Sequence, residues 1–183
     1  MGDINNDGWP DLYVSNDYSG KDHMYINNAN GTFSDRILEA TNHISFFAMG
    51  NDMADINNDG WMDIMTVDMM GESSYDIKTS MSGMNPKKFY EALDAGLHHQ
   101  YMYNTLQINS GYLNENNVPI FSDIAQLAGV SKTDWSWAPL FFDMDNDGLK
   151  DLFVSNGIKR DFRNNDFVNY VNKKQDSIIN NQA

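Results

Sequence analysis

One nine-residue phrase occurs three times in this chain, and each copy runs straight into a short apolar stretch. Asp3-Ile4-Asn5-Asn6-Asp7-Gly8-Trp9-Pro10-Asp11 leads into Leu12-Tyr13-Val14. Asp55-Ile56-Asn57-Asn58-Asp59-Gly60-Trp61-Met62-Asp63 leads into Ile64-Met65-Thr66-Val67, and Asp143-Met144-Asp145-Asn146-Asp147-Gly148-Leu149-Lys150-Asp151 leads into Leu152-Phe153-Val154. A recurring loop with a recurring continuation means that one supersecondary unit is built several times over. Side-chain oxygens stand at positions 1, 3, 5 and 9, with Gly at position 6 for a sharp turn.

Oxygens at that spacing suit a hard divalent cation such as Ca²⁺, which takes about six to eight oxygen ligands from a loop folded around it. The candidate ligands are Asp3, Asn5, Asp7 and Asp11; Asp55, Asn57, Asp59 and Asp63; and Asp143, Asp145, Asp147 and Asp151, with the position-7 carbonyls of Trp9, Trp61 and Leu149. About three Ca²⁺ ions are therefore expected. The third loop has Asp where the others have Asn at position 3, so it is expected to bind tightest. Asn, Asp and Gly also dominate ordinary turns. Three copies with the same ligand positions, the same Gly and the same continuation favour the metal loop. Neither an EF-hand nor a dockerin loop fits, because both want an acid at position 12, occupied here by Val14, Thr66 and Val154. Those residues lie in β-branched and aromatic runs that predict strands.

Four strands attach to each loop. After strand 11–16, His23 to Ile26 and Thr32 to Ser34 flank Asn27-Asn28-Ala29-Asn30-Gly31 as a hairpin. The apolar run Ile44 to Met49, containing Phe46-Phe47-Ala48-Met49, is expected to climb into loop two as Trp137 to Phe142 does into loop three. Four antiparallel strands per repeat of roughly 40 to 50 residues is the signature of propeller blades. The loops start 52 and then 88 residues apart, so the second unit carries an insertion at about 71–103. There Asn85 and Pro86 predict a helix start, and Phe89, Leu93 and Leu97 one buried face. Beyond it, Asn104 to Asn109 matches the His23–Asn28 strand and Ile120 to Ile124 matches Phe33 to Ile37. A last helix is predicted near 165–179.

The fold class expected is all-β, a partial β-propeller with a helical insertion and a C-terminal helix. Its divisions are 1–42 (blade one, lacking its innermost strand), 43–130 (blade two with the insertion), 131–160 (start of blade three) and 161–183 (helical tail or fragment end).

The formal charge of −14 raises the question of a basic partner. However, ten of the 26 acids lie in the three loops, and three Ca²⁺ would bring the charge to −8. The chain has no basic stripe for nucleic acid and no apolar run near 18 residues to span a bilayer. There is no Cys, which removes thiolate sites and disulfides. His98-His99 with His43 or His23 is a weaker metal candidate, since adjacent helical histidines diverge by about 100°. Trp9, Trp61, Trp135 and Trp137 suit either packing between blades or a carbohydrate platform. Glycoside hydrolysis needs two carboxyls facing across an open cleft, whereas these acids crowd single tight loops; no nucleophile elbow or phosphate loop is present. The chain is expected not to be an enzyme.

The repeated D-x-[DN]-x-D-G-x-x-D followed by D-L-[YF]-V-S-N resembles the FG-GAP or VCBS repeat, the blade unit of integrin-α-like seven-bladed propellers. Asp11 to Asp17, Ala48 to Asn57 and Thr133 to Pro139 are similar to bacterial proteins related to cartilage acidic protein, which often carry an ASPIC/UnbV domain. The resemblance implies a calcium-stapled segment of an exported propeller with integrin-α-like four-stranded blades. It would act at the bacterial cell surface, outer membrane or outside the cell, in adhesion to a protein or glycan ligand. A non-catalytic carbohydrate-binding module, or a hydrolase or lyase on the same scaffold, are the alternatives. The remaining blades of a longer chain would be its structural partners.

Overall fold

The computed structural model describes residues 1–18, 20–80, 85–157 and 165–180. Residue 19, part of the insertion (81–84), the junction to the helical tail (158–164) and the end of that tail (181–183) lie outside the described residues. The elements in order are β1 Leu12–Val14, β2 His23–Asn27, β3 Phe33–Asp35, α1 Ile37–Ala40, β4 Ile44–Ser45, β5 Gly50–Ala54, β6 Asp63–Val67, α2 Ser74–Ser80, α3 Pro86–Asp94, β7 Gln100–Tyr101, β8 Thr105–Leu113, β9 Pro119–Asp123, β10 Ser136–Phe142, β11 Asp151–Asn156 and α4 Asn165–Asn180.

The strands form consecutive antiparallel sheets of the expected kind. Blade two is complete, in the order β5-β6-β8-β9. Blade one has the order β1-β2-β3, with Gly2 bridging Asp11 at its inner edge. Blade three is the pair β10-β11. Blades two and three each begin with the strand that enters a loop followed by the strand that leaves it, and blade one begins at its loop exit, so the architecture is an all-β partial propeller.

The cores lie between sheets, as propeller packing demands. Tyr13, Met24 and Ile26 of blade one meet Ile64, Val118 and Phe121 of blade two. On its other face blade two offers Met65, Val67 and Leu106 to Phe141, Leu152 and Val154 of blade three. The backbones approach closely there: a Cβ on Gly50 would sit 2.6 Å from the Trp137 carbonyl oxygen and 3.3 Å from Ala138 Cα. The Asp52 carboxylate also accepts the Phe141 N–H at 2.7 Å.

Three details of strand placement differ from the sequence expectation. The strand entering loop two is Gly50–Ala54, not the run Ile44 to Met49; Ile44–Ser45 pairs in parallel with β7 instead. Gly50–Ala54 is half-buried throughout: Asn51 and Asp52 hold neighbouring blades by hydrogen bonds and Met53 is its one large apolar side chain, so it shows no apolar alternation. The strand after loop one is Leu12–Val14 rather than 11–16, the chain leaving the sheet where the Asn16 N–H turns to Asp22. The repeat register is also one residue off. Asn27 and Asn109 are equivalent, since each gives its backbone N–H to the last Asp of its loop, at 2.8 Å in both blades. It follows that Asp22 corresponds to Asn104: Asp22 Oδ1 accepts the Asn16 N–H at 2.8 Å and Asn104 Oδ1 accepts the Asp68 N–H at 2.7 Å. Likewise Asp35 matches Asp123, each taking an N–H two residues on and one from the neighbouring strand.

The insertion helix starts as expected, with the Asn85 side chain accepting from Lys87 and Lys88 N–H groups. Its stripe Phe89, Leu93 and Leu97 is only half-buried, because α3 rests on the blade edge rather than inside a core. A cavity of about 500 Å³ separates it from Phe46, Phe47 and Met102.

Candidate metal centres

The three loops fold identically. The first Asp receives two backbone N–H groups: Asp3, Asp55 and Asp143 Oδ1 accept from position 5 at 3.1, 3.0 and 3.1 Å. Their Oδ2 atoms accept from the position-6 Gly at 2.8, 2.8 and 2.9 Å. The third residue, Asn5, Asn57 or Asp145, turns its Oδ1 to the same position-5 N–H at 3.3, 3.0 and 3.1 Å. The fifth, Asp7, Asp59 or Asp147, takes the position-7 N–H at 2.9, 2.8 and 2.8 Å. These bonds require left-handed backbone at position 4, with φ of 56°, 58° and 61° at Asn6, Asn58 and Asn146. Gly8, Gly60 and Gly148 follow at 89°, 87° and 87°. Asn tolerates that region and Gly is free in it.

The ninth residue ties the loop to the sheet. Asp11, Asp63 and Asp151 Oδ2 reach back to the position-2 N–H groups of Ile4, Ile56 and Met144 at 2.8, 3.1 and 2.8 Å. In blades one and two the other oxygen holds the next strand through Asn27 or Asn109, and Asp11 and Asp63 are fully buried. Asp151 is exposed, no outer strand being paired to β11 among the described residues. Burial, reinforced by the negative charges of Asp7 and Asp3, raises the Asp11 carboxyl above the ordinary carboxylate range. Asp63 is raised in the same way, by burial and then by Asp59 and Asp55.

Does this arrangement fit a cation? Oxygens each about 2.3–2.6 Å from one Ca²⁺ lie within about 5 Å of one another. One carboxylate oxygen each from Asp143, Asp145 and Asp151 does so, all within 4.8 Å. Each backbone N–H occupies one lone-pair direction of an oxygen that has two, so the turn leaves acceptor capacity for an ion. The residues fit the group. In loops one and two an amide oxygen replaces one carboxylate, and its Nδ2 braces Asp7 at 3.0 Å and Asp59 at 2.9 Å.

The other candidates do not assemble. His98 Nε2 is buried at 3.0 Å from the Thr41 carbonyl, while His43 Nε2 pairs with Asp123 at 2.9 Å and His23 Nδ1 with Asp35 at 2.8 Å. Trp61 covers Gly111 in β8 of its own blade, the Trp137 indole Nε1–H donates to the Gly157 carbonyl at 3.0 Å, and Trp9 stands on its loop. The Trp135 and Trp137 rings lie 6.5 Å apart but are tilted by 46°, which is not a flat platform.

Two features escaped the sequence. The acids Asp22 and Asp68 are completely buried at the interface of blades one and two. Burial lifts both above the carboxylate range, Asp22 to about 6. The position-4 asparagines also reach between loops: Asn6 Nδ2 donates to the Gly60 carbonyl at 3.0 Å and Asn58 Nδ2 to the Gly148 carbonyl at 3.1 Å.

No helix among the described residues is long and apolar enough to cross a membrane. No curated protein matches the chain. Residues 3–66, from the first Asp of loop one through blade one and loop two to Thr66 in β6, match the model of the FG-GAP-like repeat, in keeping with a repeat segment of a β-propeller.

Proposed function

We propose that the chain is a calcium-binding segment of an exported β-propeller that serves adhesion or ligand recognition rather than catalysis. The observation that carries this reading is the same oxygen-rich loop geometry three times over, with three carboxylate oxygens of the third loop within 4.8 Å of one another. Calcium, when bound, supplies positive charge to each loop and joins its acids. Asp3, Asn5, Asp7 and Asp11, with their counterparts Asp55, Asn57, Asp59 and Asp63, and Asp143, Asp145, Asp147 and Asp151, hold it, with the carbonyls of Trp9, Trp61 and Leu149. In loops one and two the ninth Asp then links ion, loop entrance and the neighbouring strand, so the ion staples the blade it sits on. Sites of this kind in extracellular modules bind at about 10⁻⁴–10⁻³ M, which suits calcium outside the cell.

The test is calorimetric calcium titration together with thermal melting, with and without chelator. About three sites are expected, each adding about 2 kcal/mol at 10 mM calcium if its dissociation constant is near 0.3 mM. Absence of binding heat and an unchanged melt at that concentration would remove the calcium reading.

A further inference from the structure

We propose that the position-4 asparagines are positioning residues for the metal site of the next blade: Asn6 for the loop Asp55–Asp63 and Asn58 for the loop Asp143–Asp151. This inference rests on the calcium reading above. Asn6, held left-handed at φ 56°, directs its side chain out of its own loop, where Nδ2 meets the Gly60 carbonyl. That carbonyl belongs to the same planar peptide as the Trp61 N–H. The Trp61 N–H donates to Asp59 Oδ1 at 2.8 Å, so one rigid plane is gripped at one end by a neighbouring blade and at the other by a ligand carboxylate. The plane also sets the direction of the position-7 residue, whose carbonyl is the backbone ligand.

The next junction repeats this geometry. Asn58 donates to the Gly148 carbonyl at 3.1 Å, and the Leu149 N–H of that peptide donates to Asp147 Oδ1 at 2.8 Å. Gly60 and Gly148 have no side chains and lie at φ 87°, which makes them the loosest links of their loops. An amide from outside restrains the peptide that their own residue cannot hold. The effect is directional, since each Asn acts on the loop after its own.

The experiment is a calcium titration of the full 183-residue chain followed by amide NMR, with the Gly8, Gly60 and Gly148 signals reporting loops one, two and three separately. Asn6→Gly keeps the left-handed backbone and removes only the amide. It is expected to raise the calcium midpoint at Gly60 by about twofold to tenfold, the range for losing one hydrogen bond, and to leave the midpoint at Gly8 in place. Asn58→Gly should do the same at Gly148 and spare Gly60, which tests the idea independently if the first variant folds poorly. Unchanged midpoints at Gly60 and Gly148, even with a lower melting temperature in chelator, would reduce the asparagines to packing contacts and overturn the inference. A shift confined to the variant's own loop would overturn it too. No calcium-dependent movement at any of the three glycines in the unsubstituted chain would instead overturn the calcium reading itself.

Discussion

Replacing Asp22 by Asn should stabilise the protein at neutral pH and do little at pH 4. Asp22 is fully buried, accepting the Tyr13 hydroxyl at 2.7 Å and the Asn16 N–H at 2.8 Å, and the buried Asp68 adds repulsion. Its carboxyl is lifted from 3.8 to about 6 in the fold. A raised value means that the neutral acid suits the folded state. The stability it contributes is complete below about pH 4 and is lost as pH rises through about 6. A difference of about 2 units corresponds to about 3 kcal/mol, nearly all of it felt by pH 7.

Asparagine keeps an acceptor for the Asn16 N–H and carries no charge, and Tyr13 can turn its hydroxyl to the adjacent Thr66. Blade two already places an amide at the same point, in Asn104. Urea denaturation of both proteins in chelator, from pH 4 to 7, should therefore show a gap that widens by about 2–3 kcal/mol in favour of Asp22→Asn. Carboxylates that do not interact with Asp22 cancel in that comparison. A gap independent of pH, or one that closes toward pH 7, would refute the reasoning.

Two further substitutions test the architecture. Gly50→Ala forces a Cβ against the Trp137 carbonyl at 2.6 Å, backbone against backbone, and should cost about 1–3 kcal/mol in a urea melt by prising blades two and three apart; an unchanged midpoint would mean that the blades do not meet there. Asp63→Ala in chelator should cost about 2–5 kcal/mol, because it strands the buried Asn109 and the half-buried Ile56 N–H groups, whereas Asp151→Ala should cost clearly less, its carboxylate being exposed and holding Met144 alone of the backbone donors; equal losses would contradict the two-sided clamp.

The loops and hairpins were legible because their chemistry is local. The spacing of the loop acids, the Gly turn and the Asn85-Pro86 helix start each act within a few residues of sequence. The strand Gly50–Ala54 was not, since Met53 is its one large apolar side chain and its other contacts run through backbone, Asn51 and Asp52, while the run before it is the more apolar. The one-residue slip between repeats has a similar origin. Asn27 and Asn109 are aligned by a backbone N–H to a distant Asp, and side-chain type does not encode that bond. The burial of Asp22 and Asp68 is fixed by the interface of two blades and has no signature in either blade alone. The cross-loop reach of Asn6 and Asn58 also exists only once successive blades are stacked.

The bond by which Asp22 and Asn104 close their blades has an architectural corollary. In blade one it spans six residues, from Asn16 to Asp22; in blade two the equivalent bond spans 36, from Asp68 to Asn104. Stretching the detour sixfold raises the entropy of closure by about 1.6 kcal/mol, since that cost grows only with the logarithm of length. The sheet on either side is the same in kind. This rim of the propeller therefore behaves as a socket: whatever chain is spliced between the two anchoring groups is carried outward while the strands beneath keep their register, and successive blades can display different cargo on one frame.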